Sequence, residues 1–201
     1  MAHHHHHHFH LPDRSRAGIR AVLWALGLLG LTAAVQAVIY VASDSVALLA
    51  DLIHNGGDAL TAIPIGIAFL LHSHRLERWA GLAVVLAIFV SACVALWQAI
   101  ERLIDPQPLS HLGVLALAGA IGFLGNEAAA WVRLRAGRRL DSPALVADGY
   151  HARTDGLVSL GVVLSAAFVW LGLEVADPAI ALAITLVILR ITWQSWRTVR
   201  A

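Results

Sequence analysis

The sequence predicts an all-α integral membrane protein with six transmembrane helices and both termini cytoplasmic. Three observations carry that expectation: a composition too apolar for a water-soluble fold, six apolar runs of spanning length, and arginines gathered on alternate connections. Of the 201 residues, 59% are hydrophobic and only 13% charged, against about 25% charged in an ordinary soluble domain. The mean hydropathy is +0.73. A net charge of +1 gives no electrostatic reason to expect nucleic acid as a partner. The lone cysteine, Cys93, cannot form an intramolecular disulfide and reads as a small buried hydrophobe. All 14 basic residues are Arg and Ala is abundant, a bias typical of GC-rich bacterial genomes that points to a bacterial inner membrane.

Residues 1–18 are set apart as an N-terminal tail, and residues 19–201 form the transmembrane domain. The start, MAHHHHHHFH, has the form of a purification tag; a native His-rich tail that collects metal has the same composition. The apolar runs then fall at 19–41, 46–71, 79–101, 112–132, 143–171 and 176–193, each close to or above the roughly 20 residues a bilayer requires. Span one ends at Ser43-Asp44-Ser45, and span two at His72 and His74, expected to be interfacial. Span three ends in Asp105-Pro106-Gln107-Pro108, and span five is followed by Glu174 and Asp177-Pro178. Pro64 removes a backbone donor from span two and predicts a kink there. Span four is crowded with Gly113, Gly119, Gly122 and Gly125, and Gly56 and Gly57 lie in span two, all permitting close helix approach.

Arginine placement sets the orientation. Arg14, Arg16 and Arg20 lie before or at the start of span one, and Arg75 and Arg78 separate spans two and three. Arg133, Arg135, Arg138 and Arg139 separate spans four and five, and Arg197 and Arg200 follow span six. The other connections carry acidic residues and, apart from Arg102 at a span end, no Arg. The positive-inside rule therefore puts both termini in the cytoplasm. Trp79, Trp97, Trp131, Trp170, Trp193 and Trp196 stand near span ends, as interfacial anchors do.

Two stretches are near-copies. Residues 47–60 read ALLADLIHNGGDAL and residues 144–157 read ALVADGYHARTDGL, sharing His-x-x-x-Asp. On a helix this i, i+4 spacing puts His54 with Asp58, and His151 with Asp155, on one face. Span two runs inward and span five outward, and each reaches its His after eight or nine residues, about 12–15 Å deep at 1.5 Å per residue. The two motifs are thus expected to run antiparallel and meet near the midplane, where inverted three-span repeats place transport sites. A single polar residue at that depth reads equally well as a link between helices. Two matched pairs at one level argue for an ion pathway.

Two imidazoles and two carboxylates make a tetrahedral set suited to Zn²⁺ and tolerable for Cd²⁺, Co²⁺, Mn²⁺ or Fe²⁺; the absence of a thiolate argues against Cu⁺. Asp58 and Asp155 supply two negative charges, so a bound divalent ion makes the cluster neutral. Protonation of His54 and His151 neutralises it equally, so metal and protons compete for one set of groups. That is the minimum machinery of metal/proton exchange. Asp51 and Asp148, one turn before each His, are expected to support the ligands or line the path rather than bind directly, because four ligands already fill the site. Glu127 and Arg153 are read as a charge-satisfying pair, with a proton-relay role for Glu127 as the sharper alternative; Asn126 lies beside them in span four.

With ALLADLIHNGGD and ALVADGYHARTDGLVSLGV in view, the chain resembles the cation diffusion facilitator, or cation efflux, family over residues 19–200. The E-R-L-I-D-P-Q-P stretch after span three and A-D-P before span six add to the likeness. The resemblance implies six spans, transport ligands at His54, Asp58, His151 and Asp155, and export of Zn²⁺ or a related divalent ion in exchange for protons by a homodimer. The ion is substrate, with no prosthetic group and no enzymatic step implied. The family typically continues into a cytoplasmic metal-binding domain after span six, whereas this chain stops at Ala201, and the family's His-rich loop is lacking. Two other classes fit less well. A membrane haem protein pairs histidines, whereas each span here offers one deep His beside an Asp. An intramembrane metalloenzyme needs an open coordination position, and no His-Glu-x-x-His is present.

Overall fold

A computed structural model describes residues 11–43, 61–105, 111–173 and 176–200. Every element in them is helical: α1 Leu11–Ser43, α2 described over Thr61–Leu70, α3 His74–Ile104, α4 Leu112–Arg139, α5 Pro143–Trp170 and α6 Ala176–Arg200. Five of these are long and apolar enough to cross a membrane, and α2 adds a shorter apolar helix. The all-α membrane architecture thus agrees with the sequence reading. Four of the helices, α1, α3, α4 and α6, overrun their apolar runs, however, whereas α5 matches its own. The run at 19–41 lies inside a helix of 33 residues and the run at 112–132 inside one of 28. An apolar run measures the hydrocarbon layer, about 30 Å, whereas a helix continues into the headgroup region as long as its backbone bonds are satisfied.

Two of the turns share one local design. Before α3, His72 takes a left-handed conformation (φ 52°), and the Ser73 hydroxyl then accepts a hydrogen bond from the Leu76 N–H at 3.3 Å. Before α5, Asp141 is left-handed (φ 48°), and Ser142 accepts from Leu145 N–H at 3.2 Å, with Pro143 opening the helix. A serine at the N-cap satisfies a donor that the helix leaves unpaired, and proline costs nothing at the first position. Each chain reversal needs only three residues, 71–73 and 140–142.

These turns bring the arginine-rich helix ends together. Arg14 of α1 holds Glu77 of α3 through two bonds, Nη1 to Oε2 at 3.0 Å and Nη2 to Oε1 at 3.1 Å. It also donates to the Leu140 and Asp141 carbonyls of the α4–α5 turn, at 2.9 and 3.3 Å, and stands 5.5 Å over the Phe69 ring of α2. At the opposite end, Arg102 of α3 pairs with Asp177 of α6 at 3.1 Å.

The chain reversals set the packing. Helix α5 touches α3, α4 and α6, and α1 lies against α4. Small residues allow these approaches. A Cβ at Gly125 would overlap Thr32 of α1, and one at Gly149 would stand 2.7 Å from Leu134 Cγ of α4. The outer surface is apolar, with Leu23, Trp24, Leu86, Trp97, Leu124 and Trp170 exposed as a lipid-facing helix bundle requires. Cys93 belongs to this outer surface rather than the interior expected for it. Lipid is as apolar as a protein core, so a thiol there has no drive to be buried.

Candidate transport site

The site is built on α5. Asp148, His151 and Asp155 follow one another at i, i+3 and i+7, which sets them along one helix face, and all three are buried, at 0%, 1% and 5% exposure. His151 Nδ1 lies 3.4 Å from Asp155 Oδ2, so the predicted His-x-x-x-Asp pair is brought together. The Thr154 hydroxyl donates to the His151 carbonyl at 2.7 Å. With His151 eight residues into α5, the pair lies about 12 Å or more from the arginine-rich end, at 1.5 Å per residue. His54 and Asp58, the other two expected ligands, lie outside the described residues, as do Asp51, Gly56 and Gly57. Among the described residues no further His, Cys, Asp or Glu joins His151 and Asp155 in a group of three.

Asp148 is engaged elsewhere. Its Oδ2 stands 3.0 Å from Nε of Arg133 on α4, and its Oδ1 accepts a hydrogen bond from Thr61 Oγ1 of α2 at 3.3 Å. Arg133 is itself 1% exposed. The sequence reading placed this arginine in a cytoplasmic connection. It sits instead inside α4, because the helix runs on to Arg139 and turns residue 133 toward α5. Asn126, also buried, has no hydrogen-bond partner for Nδ2 among the described residues.

Glu127 and Arg153 form the expected pair between α4 and α5, joined at 3.2 and 3.1 Å and about one-third exposed. Pro64 lies within α2, which is helical from Thr61 to Leu70. His72 and His74 are exposed at the arginine-rich end, His72 Nδ1 lying 3.1 Å from the Leu70 carbonyl and His74 Nδ1 3.8 Å from Glu77. Among the buried polar residues that the sequence did not single out is Gln36 of α1, which is fully buried and donates from Nε2 to the Ala118 carbonyl of α4 at 3.3 Å.

The chain is similar to known transporters over nearly all of this structure. Residues 22–200 match the model of the cation efflux transmembrane domain. A probable cation efflux system protein of Mycobacterium tuberculosis is 50% identical over 190 residues, covering 89% of this chain and 57% of that protein. The zinc transporter ZitB of Escherichia coli is 32% identical over 207 residues, covering 96% of this chain and 65% of ZitB. A cadmium, cobalt and zinc/H(+)-K(+) antiporter of Bacillus subtilis is 26% identical over 160 residues, covering 74% of this chain and 51% of that protein. The chain thus spans between about half and two-thirds of the length of these relatives. With a domain match running from Val22 to Arg200, the chain belongs to the cation efflux, or cation diffusion facilitator, family of multi-pass membrane proteins.

Proposed function

We propose that the protein exports divalent metal cations, Zn²⁺ foremost, in exchange for protons, through a tetrahedral site made by His54, Asp58, His151 and Asp155. The observation that carries the reading is the buried His151–Asp155 pair, 3.4 Å apart within a membrane-spanning helix. Two groups that bind either a metal or a proton would not be kept at that depth for packing alone. The repeated motif in span two supplies a matching pair from the sequence, and a borderline-soft N₂O₂ set favours Zn²⁺ and Cd²⁺ over Ca²⁺ or Mg²⁺. The names of the relatives, a zinc transporter and a cadmium, cobalt and zinc antiporter, point the same way. The ion is cargo and no covalent step is involved. We take the working unit to be a homodimer in a bacterial inner membrane, oriented with the arginine-rich end in the cytoplasm.

Proteoliposomes that carry a metal-sensitive dye and a trapped pH dye test this reading. An imposed Zn²⁺ gradient should move Zn²⁺ and produce an opposed proton flux, and an acidic solution on the release side should speed metal discharge. Zn²⁺ flux without any proton counterflow would reject exchange in favour of a passive channel.

A further inference from the structure

The buried ion pair between Arg133 and Asp148 has no place in a four-ligand site, yet it lies between that site and the arginine-rich end. Asp148 is one turn before His151 on the same face of α5; its Oδ2 is in ion-pair contact with the guanidinium and its Oδ1 accepts a hydrogen bond from Thr61. Three helices, α2, α4 and α5, therefore meet on this carboxylate. Among the described residues, neither Nε nor Nη2 of Arg133 has a hydrogen-bond partner, so the guanidinium and Asp148 face each other at 3.0 Å as an ion pair rather than through aligned bonds. A lone buried carboxylate one turn from a cation site would act as an extra oxygen ligand and an extra negative charge. A lone buried guanidinium there would repel the cation.

We infer that Arg133 is a positioning residue of the transport site, which holds Asp148 out of the metal's coordination sphere and keeps the charge felt by the cation at the value set by the ligands. This rests on the transport reading above and deepens it. Arg133 limits how tightly the site holds its cargo, and it withholds the additional oxygen that hard ions such as Mn²⁺ prefer.

The two single substitutions should move affinity in opposite directions. Arg133→Leu leaves Asp148 bare, so the KM for Zn²⁺ should fall, kcat should fall with slower release, and relative flux of Mn²⁺ should rise. Asp148→Asn leaves the guanidinium unopposed, so KM should rise for Zn²⁺ and Cd²⁺ alike. Each shift should be at least about tenfold and up to about two-hundredfold, because one unit charge across roughly 10 Å at an effective dielectric of about 20 acts on a divalent cation with twice the energy it exerts on a monovalent one. The double variant should bring KM back toward the wild-type value. All are measured on the full chain in proteoliposomes, with monodispersity in detergent as the check on folding. A merely structural pair would lower the yield of folded protein in both single variants and leave KM and selectivity where they were. Single variants that shift KM in the same direction, or an Asp148→Asn protein of unchanged KM, would overturn the inference, and the second outcome decides even where Arg133→Leu does not fold. Asp155→Ala separates this inference from the transport reading: if it abolishes flux while Asp148→Asn leaves KM unmoved, only the role of Arg133 fails.

Discussion

Glu127 and Arg153 grip each other through two parallel bonds across the α4–α5 contact, near the middle of both helices. Two charges at membrane depth are tolerated when they cancel, and the bidentate geometry is the arrangement that arginine favours with a carboxylate.

Breaking that pair on one side should cost stability. Glu127→Gln or Arg153→Gln is expected to lower the unfolding midpoint in detergent by a few degrees, corresponding to about 1 kcal/mol for a partly exposed pair. Replacing both with Leu should recover most of the loss. The proton-to-metal ratio should stay unchanged. A Glu127→Gln protein that still carries metal but no longer moves protons would make Glu127 the relay instead.

Removing the α5 carboxylate should stop transport. Asp155→Ala takes half of the negative charge from the proposed ligand set while leaving the small-residue contacts of α5 in place. Zn²⁺ and Cd²⁺ flux should drop at least about a hundredfold, as a lost charged ligand implies, in a protein that still elutes as a folded species. Undiminished flux would remove Asp155 from the site.

Selectivity should respond to the span-two ligand. His54→Asp exchanges a borderline nitrogen for a hard oxygen, so flux should tilt from Zn²⁺ toward Mn²⁺ or Fe²⁺. Competition assays with the three ions read the change directly, and identical relative rates would mean that span two does not touch the cargo.

The α1–α4 contact should be intolerant of bulk. Gly125→Val drives a side chain into Thr32, and overpacking of this kind costs about 1–3 kcal/mol. Thr32→Ala should relieve part of that cost when combined with it. Equal thermal stability of Gly125→Val and the wild type would show that α1 yields freely at this point.

Much of this was legible in the sequence because lipid imposes two simple demands. Backbone groups must pair within a helix, which fixes the element type, and charges must have a reason to be there, which made His151, Asp155, Glu127 and Arg153 conspicuous. The same reasoning missed the burial of Arg133. Counting arginines as cytoplasmic treats them all as surface groups, and nothing in the linear order says that α4 continues past its apolar run and buries one of them against Asp148. Gln36 was invisible for a different reason. Among its partners is a backbone carbonyl, that of Ala118, and carbonyls leave no mark in a pattern of side chains.

The three-residue reversals at His72–Ser73 and Asp141–Ser142 have a mechanical consequence. Three residues reach at most about 10 Å, so neither α2 and α3 nor α4 and α5 can slide past one another like pistons at that end, and Arg14 ties both reversals to α1. What such tethers allow is splaying about the arginine-rich rim as a fulcrum, with the far end, where Arg102 and Asp177 link α3 to α6, travelling farthest.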